Sequence, residues 1–141
     1  MTLSIRTYLV TDREPLIALW ERCLLTRPWN DPSADIDLAI RADSAEIFIG
    51  LHGDHLIASV MVGFDGHRGW VYYLAVDPSY RKNGHGRKLM AIAEAWLVER
   101  HAPKIQLMVR GDNETAIGFY AALGYTEQNV KTIGKRLDTG E

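Results

Sequence analysis

The sequence has little cysteine and no long apolar run. Its single cysteine, Cys23, cannot form a disulfide within the chain, which fits a reducing compartment. No apolar run approaches the about 20 residues that a membrane-spanning helix needs. The N-terminus lacks the basic leader and apolar stretch of a secretion signal. We therefore predict a cytoplasmic protein that does not act at a membrane.

An excess of one charge is also lacking. The 16 lysines and arginines nearly balance the 18 aspartates and glutamates, so the net charge is −2. Without a basic field, nucleic acid is not expected as a partner. His52 and His55 fall in a predicted hairpin turn, and two histidines are too few ligands for a metal site. We expect no metal, and the sequence leaves the oligomeric state open, a homodimer included.

The length and composition predict one folded domain over residues 1–141. The chain has 141 residues, 47% of them hydrophobic. A chain of this size can bury roughly 70% of its unfolded surface without disulfides or metals. No repeat, low-complexity tract or linker divides it.

The central stretch reads as strand, turn, glycine loop and helix. Trp70 to Val76 is a short, continuous apolar run typical of a buried strand, and Pro78 ends it. Apolar residues then recur at helical spacing from Leu89 up to His101. Two glycines among cationic residues lie where that helix begins.

The glycine loop has the composition of an anion site. Gly84 and Gly86 lack a Cβ and let backbone N–H groups approach a ligand, and the helix N-terminus carries roughly half a positive charge. The third glycine of the dinucleotide fingerprint is absent, as is the Gly-x-x-x-x-Gly-Lys-Ser/Thr phosphate loop. A glycine turn with solvated cations is an equally good interpretation of the loop alone.

The rest of the chain predicts a mixed sheet with helices on it. Strands are expected at Ser4 to Val10, Glu46 to Leu51, Leu56 to Phe64 and Lys104 to Val109, with a last pair near Gln128 to Leu137. A first helix carries Leu16, Leu19, Trp20, Cys23 and Leu24 on one face, with Thr11 or Asp12 as its cap. A second is expected from Asp35 to Ala42. After the long helix from Leu89, a fourth helix, capped by Asp112 or Asn113, ends at Gly124.

Two motifs together resemble a known family. Arg81-x-x-Gly84-x-Gly86 after a buried strand is similar to the acyl-CoA signature of the GNAT N-acetyltransferases. The spacing from Asn113 to Tyr120 and Tyr125 resembles that family's second signature. The resemblance covers nearly the whole chain. It implies an α/β fold with a mixed central sheet, antiparallel in its N-terminal part, a parallel splayed strand pair, and about four flanking helices.

The resemblance also implies a cofactor site for acetyl-CoA as co-substrate. The loop amides would hold the pyrophosphate, the splayed strand would pair with the pantetheine arm, and a backbone N–H at Leu74 or Ala75 would face the thioester carbonyl. Tyr120 would donate a proton to the departing sulfur. The expected cofactor-binding residues are Leu74, Ala75, Val76, Arg81, Lys82, Asn83, Gly84, His85, Gly86, Arg87, Asn113 and Tyr120.

The general base is less defined. Many GNAT enzymes carry a glutamate on the central strand or the strand before it, but Trp70 to Val76 contains no carboxylate. Asp65 and His67 are the preferred candidates. Asp31, or Tyr72 or Tyr73 of the central strand acting through water, is the alternative.

The loop between the first two helices is expected to border the acceptor. It offers Trp29, Asn30 and Asp31 between two prolines. The acceptor would be an amine of a protein N-terminus, a lysine or a small molecule. Two other functions stay open: a catalytically silent acyl-CoA-binding sensor, and a phosphate-ligand binder unrelated to CoA.

Overall fold

A computed structural model describes residues 2–138, which form two compact units, the first ending at Met108 and the second beginning at Val109. The single domain expected over residues 1–141 stays a prediction. The first unit contains β1 (Ser4–Thr7), α1 (Arg13–Arg22), α2 (Pro32–Arg41), β2 (Ala45–His52), β3 (His55–Phe64), β4 (Gly69–Val76), α3 (His85–Glu99) and β5 (Ile105–Leu107). Single turns of 3-10 helix lie at Val10–Asp12 and Pro78–Tyr80. The second unit contains α4 (Glu114–Ala122).

The five strands form one mixed sheet in the order β1-β2-β3-β4-β5. The first four pair antiparallel, and β5 runs parallel to β4. This confirms the predicted fold class. The β4–β5 ladder covers only Gly69–Val71 against Ile105–Leu107, so β4 continues beyond its parallel neighbour toward Val76.

Helices cover both faces of the sheet. The α1 residues Leu16, Leu19 and Trp20 are fully buried, as the helical spacing predicts. Leu24, predicted on the same face, is instead 77% exposed, because α1 ends at Arg22 and Leu24 has a positive φ of 60°. On the other face of the sheet, α3 packs so closely on β4 that a Cβ at Gly69 would clash with the Leu97 side chain. Any other residue at position 69 would therefore force Leu97 to shift.

The N-terminal end of α1 differs from the prediction. β1 stops at Thr7, because the chain turns into 3-10 helix at Val10–Asp12. Asp12 stands at the N-cap of α1, but its carboxylate accepts from the Leu9 N–H at 2.8 Å and from two guanidinium nitrogens of Arg6. It therefore ties the preceding turn to β1 rather than capping α1, and the Arg6 hydrogen bonds, opposed by burial, hold the pKa of Asp12 below its usual range.

The second helix begins three residues earlier than predicted. Pro32 is its first residue, and the Asp31 carboxylate caps it by accepting from the N–H groups of Ser33 and Ala34. Proline suits the first helical position, because its missing N–H would have no partner there.

The predicted last pair of strands, near Gln128 to Leu137, is wrong for the described part of the chain. Residues 125–138 contain no helix or strand. Val130, Ile133 and Leu137 are at least 75% exposed. An apolar pattern makes a strand only where another strand edge accepts its backbone hydrogen bonds.

The predicted hairpin between β2 and β3 is present, with a tighter turn than expected. His52 and His55 face each other as the end residues of the two strands, and Gly53 and Asp54 form the turn between them. Among residues 2–138, no helix is long and apolar enough to cross a membrane.

Candidate active site

β4 contains a bulge where its parallel neighbour ends. Ser59 pairs with Ala75 and Met61 pairs with Tyr72, so Tyr73 and Leu74 together oppose the single residue Val60. The backbone of Tyr73 is left-handed, with φ of 54°. For a bulky residue this conformation costs roughly 1–3 kcal/mol and persists only where surrounding contacts impose it.

Three contacts hold Tyr73 in this conformation. Its carbonyl accepts from the Ser59 hydroxyl at 2.9 Å. Its ring stacks on Trp20, with centroids 3.7 Å apart and planes inclined by 11°. Its hydroxyl donates to Asp35 Oδ2 at 2.6 Å. The bulge is therefore fixed from β3, α1 and α2.

Asp35 is a carboxylate that sequence reasoning did not select. Burial, with the hydrogen bond and charge of Asp35, raises the pKa of Tyr73 far above its usual value, so this hydroxyl stays protonated and donates. The half-buried Asp35 carboxylate is thus connected to the bulge through the Tyr73 side chain. Its only sequence signal is an acidic residue on the helix after the proline-flanked loop.

Beyond Val71, β4 has no β5 partner among the described residues, and this segment includes Leu74, Ala75 and Val76. The Val76 carbonyl is occupied: it accepts from Arg81 Nε at 3.0 Å and lies 3.3 Å from Cys23 Sγ. Burial raises the pKa of Cys23, so this thiol is a poor nucleophile.

The loop before α3 has the geometry of an anion site. Lys82 and Gly84 both have positive φ, 68° and 80°, and nothing lies within 4 Å of where a Cβ at Gly84 would stand. Gly84 is the N-cap of α3, and its carbonyl accepts from the Lys88 N–H. The N–H groups of the first helical turn have no intrahelical partners, so the loop fits a phosphate group.

The side chains of the loop divide into two groups. Arg81 and Asn83 turn inward and shape it, Asn83 donating to the carbonyls of Tyr80 and Arg81. Lys82 and Arg87 are exposed, so their positive charges face solvent.

His85, between the two glycines, is 2% exposed, and neither ring nitrogen has a hydrogen-bond partner among the described residues. Burial, followed by the nearby Lys88 charge, lowers the pKa of His85, so the ring is mainly neutral at pH 7. A ligand in the loop would therefore meet the His85 backbone.

The second unit carries the other predicted site residues. Asn113 is the N-cap of α4, and its Oδ1 accepts from the Ala116 N–H at 3.1 Å. Tyr120 lies on α4, with its ring edge-on to Phe119 and Tyr125. Burial raises the pKa of Tyr120 to about 12, so its hydroxyl is protonated at neutral pH and able to donate.

The two preferred base candidates lie in the turn before β4. The Asp65 carboxylate accepts from the N–H groups of His67 and Arg68 and from Trp70 Nε1. These bonds lower the pKa of Asp65. Asp65 therefore organises the turn at the Gly69 end of β4, whereas the bulge lies toward the other end. Catalysis by Asp65 or His67 stays a prediction.

The expected acceptor residues Trp29, Asn30 and Asp31 lie in the segment between α1 and α2. Trp29 is 56% exposed, and Asp31 caps α2 as described. Among residues 2–138, no group of three or more His, Cys, Asp and Glu side chains could hold a metal ion.

The chain matches a known protein family and known proteins over most of its length. The model of the acetyltransferase (GNAT) family matches residues 12–125. The chain is 44% identical over 135 residues to acetyltransferase ECA0875 of Pectobacterium atrosepticum, covering 96% of each protein. It is 44% identical over 136 residues to acetyltransferase SG1711 of Sodalis glossinidius, again covering 96% of each.

Solved structures agree in fold. AAC(6')-Iy bound to the bisubstrate analogue CoA-S-monomethyl-acetylneamine matches with a TM-score of 0.82 and 20% identity, over 96% of this chain and 99% of that one. PaiA N-acetyltransferase of Thermoplasma acidophilum bound to coenzyme A matches with a TM-score of 0.83 and 16% identity, over 93% and 94%.

The chain belongs to the GNAT acetyltransferase family. It is therefore an enzyme of the N-acetyltransferase class, and acetyl-CoA is the co-substrate of that class, as the two sequence signatures predicted.

Proposed function

We propose that this protein moves the acetyl group of acetyl-CoA directly to an amine acceptor, with no covalent enzyme intermediate. The observation that supports this proposal is the order of three features along the chain. The bulge at Tyr73 is followed by the part of β4 that has no β5 partner, and then by the loop with positive φ at Gly84. An extended pantetheine arm can pair with such a strand as an added strand does. The pyrophosphate would then meet the N–H groups at the start of α3.

The transfer needs a donor at each oxygen or sulfur that gains charge. The amine nitrogen attacks the thioester carbon, and the carbonyl oxygen becomes an oxyanion. The carbonyl then re-forms as the carbon–sulfur bond breaks, and the nitrogen releases its extra proton to water. The Leu74 N–H would stabilise the oxyanion, and the Tyr120 hydroxyl would give its proton to the thiolate. The pKa of about 12 at Tyr120 keeps that proton in place until the sulfur leaves.

The acceptor side would be formed by Trp29, Asn30 and Asp31, with Asp35 beyond them at the bulge. An alkyl amine is mostly protonated at neutral pH and must lose a proton before attack. The Asp35 carboxylate, fixed by Tyr73, could attract a cationic acceptor and take that proton through water. Because AAC(6')-Iy binds an acetylneamine analogue, amino sugars belong among the acceptors to test, with protein N-termini, lysine and polyamines.

The test is a screen of these amines with acetyl-CoA, measuring released CoA and the mass of the product. One acceptor gaining 42 mass units, with equal release of CoA, would support the proposal. Acetyl-CoA binding by calorimetry without turnover on any acceptor would contradict the proposal.

Asp35→Asn tests the role of the Asp35 charge in the same screen. The amide keeps an oxygen that can accept from Tyr73, but it loses the charge. We expect a lower kcat/KM for cationic acceptors and an unchanged dissociation constant for acetyl-CoA.

A further inference from the structure

The Ser59 hydroxyl is buried on β3 beside the bulge and uses both its donor and an acceptor position. Ser59 has no exposed surface. Its oxygen accepts from Trp20 Nε1 at 2.9 Å and donates to the Tyr73 carbonyl at 2.9 Å. A polar side chain this deeply buried in a strand needs such partners, but an apolar residue would need none. The hydroxyl therefore satisfies the buried Trp20 indole and, through its own proton, also holds the Tyr73 carbonyl in the bulge.

The hydrogen bond to Tyr73 fixes the direction of the next N–H. The Tyr73 carbonyl and the Leu74 N–H belong to one peptide unit, and the described chain has no cis peptide. In a planar trans unit the two groups point in opposite directions. Because Ser59 on β3 holds the carbonyl, the Leu74 N–H points away from β3.

The ladder between β3 and β4 leads to the same direction. The Asp77 N–H donates to the Ile57 carbonyl at 2.7 Å, and hydrogen-bonded pairs recur at every second residue of an antiparallel ladder. The next such pair is Ser59 with Ala75. Leu74, just before Ala75, therefore directs its N–H to the opposite edge of β4, where β5 pairs only with Gly69–Val71.

We propose that Ser59 is a positioning residue for acetyl transfer, which aims the Leu74 N–H at the acetyl carbonyl by holding the Tyr73 carbonyl. The inference rests on the proposed function, because it concerns the same transfer. As the acceptor nitrogen bonds to the carbonyl carbon, the oxygen gains negative charge that a fixed donor stabilises. The carbon–sulfur bond then breaks and the thiolate leaves.

The direction of the Leu74 N–H depends on what holds its own peptide unit. A rotation of the peptide between Tyr73 and Leu74, about ψ of Tyr73 and φ of Leu74, would leave the φ of 54° at Tyr73 unchanged and turn the N–H away. The Ser59 hydrogen bond opposes that rotation directly. Ring stacking on Trp20 and the Asp35 contact hold only the Tyr73 side chain.

Ser59→Ala removes the hydrogen bond that holds the Tyr73 carbonyl. We expect kcat to fall about 10- to 100-fold, part of the roughly 10²–10³-fold lost when an oxyanion donor is deleted. CoA has no acetyl carbonyl, so its dissociation constant should stay unchanged, whereas any preference for acetyl-CoA over CoA should shrink. Ser59→Thr keeps the hydroxyl and should recover most of kcat, even if the added methyl lowers the melting temperature.

Ile47→Val is the matched control, because Ile47 is equally buried in the same core but lies on β2. It should lower the melting temperature and leave kcat unchanged. The proposal is overturned if Ser59→Ala keeps kcat within about twofold, or if it weakens CoA as much as acetyl-CoA. If the wild type binds acetyl-CoA but acetylates no amine, the proposed function fails. In that case the dissociation constants of acetyl-CoA and CoA still test the role of Ser59. If Ser59→Ala prefers acetyl-CoA over CoA as much as the wild type does, that role is overturned.

Discussion

The two ends of β4 are built in opposite ways. At its first end, Gly69–Val71 pairs with β3 on one side and β5 on the other, and the preceding turn is closed by three hydrogen bonds to Asp65. At its second end, Tyr73 is strained, the β5 pairing has stopped, and the glycine loop follows. One end pairs with strands on both sides, and the other has a strand partner on one side alone among the described residues.

This difference separates stability from chemistry along a single strand. Changes at the first end should lower the free energy of unfolding and leave turnover intact. Changes at the second end should alter ligand binding or turnover, with smaller effects on folding. The following variants test this separation in order of expected effect.

Tyr120→Phe should give the largest change, although Tyr120 lies on α4. The variant keeps the ring and removes the proton donor. General acid catalysis is worth about 10²–10⁴-fold, so kcat should fall by that factor while acetyl-CoA affinity hardly changes. Tyr8→Phe is the control, because the buried Tyr8 hydroxyl has no hydrogen-bond partner among the described residues. Steady-state kinetics giving near wild-type kcat for Tyr120→Phe, with chemistry rate-limiting, would remove Tyr120 from the mechanism.

Gly84→Val should weaken acetyl-CoA binding by about tenfold or more. Valine at φ of 80° is strained, and its side chain would fill the space that the ligand needs. Gly66→Val is a matched control at the other end of β4, since Gly66 also has positive φ, 89°, and open space around it. Both variants should lose stability. Calorimetry should show that only Gly84→Val loses affinity, and equal affinities would exclude the loop as the binding site.

Trp29→Ala should change acceptor kinetics several-fold. Trp29 is exposed between α1 and α2 and is expected to contact the acceptor rather than CoA. The acceptor KM should rise, and the dissociation constant of acetyl-CoA should stay the same. An equal loss of acetyl-CoA affinity would assign Trp29 to the cofactor side instead.

Asp65→Asn should have the smallest effect on turnover if Asp65 serves the turn alone. The backbone N–H of Arg68, then that of His67, lowers its folded pKa, so its stabilising contribution is full above the unfolded value of about 3.9. That contribution is lost as the pH falls through the lowered folded value. The melting temperature of the variant should therefore be slightly lower than that of the wild type near pH 7, and the difference should be smaller in acid. A large drop in kcat would instead support the predicted role as a base.

The parts of the fold that depend on local sequence were predictable. The apolar spacing of α1, the glycine at the start of α3 and the strand order all follow from neighbouring residues or short crossovers. The start of α2 was missed although Asp31-Pro32 is a cap followed by proline, a signal that could have been found.

The bulge could not be predicted. It depends on which residues of β3 oppose which residues of β4, a long-range fact that alternation within one strand does not contain. Ser59 and Asp35 acquire their contacts only through that register and the packing of α1 and α2. The candidate anion loop before α3 could be proposed from sequence because its glycines and cations are contiguous there.

The short β4–β5 ladder has a consequence for handling the protein. Beyond Val71, β4 is an edge among the described strands, and unpaired strand edges are templates for association with other chains. A co-substrate that covers this edge would act by mass action on the whole folding equilibrium. At 100 times its dissociation constant, a ligand adds about 2.7 kcal/mol to the free energy of unfolding. Purification in acetyl-CoA should therefore raise the melting temperature and reduce aggregation together.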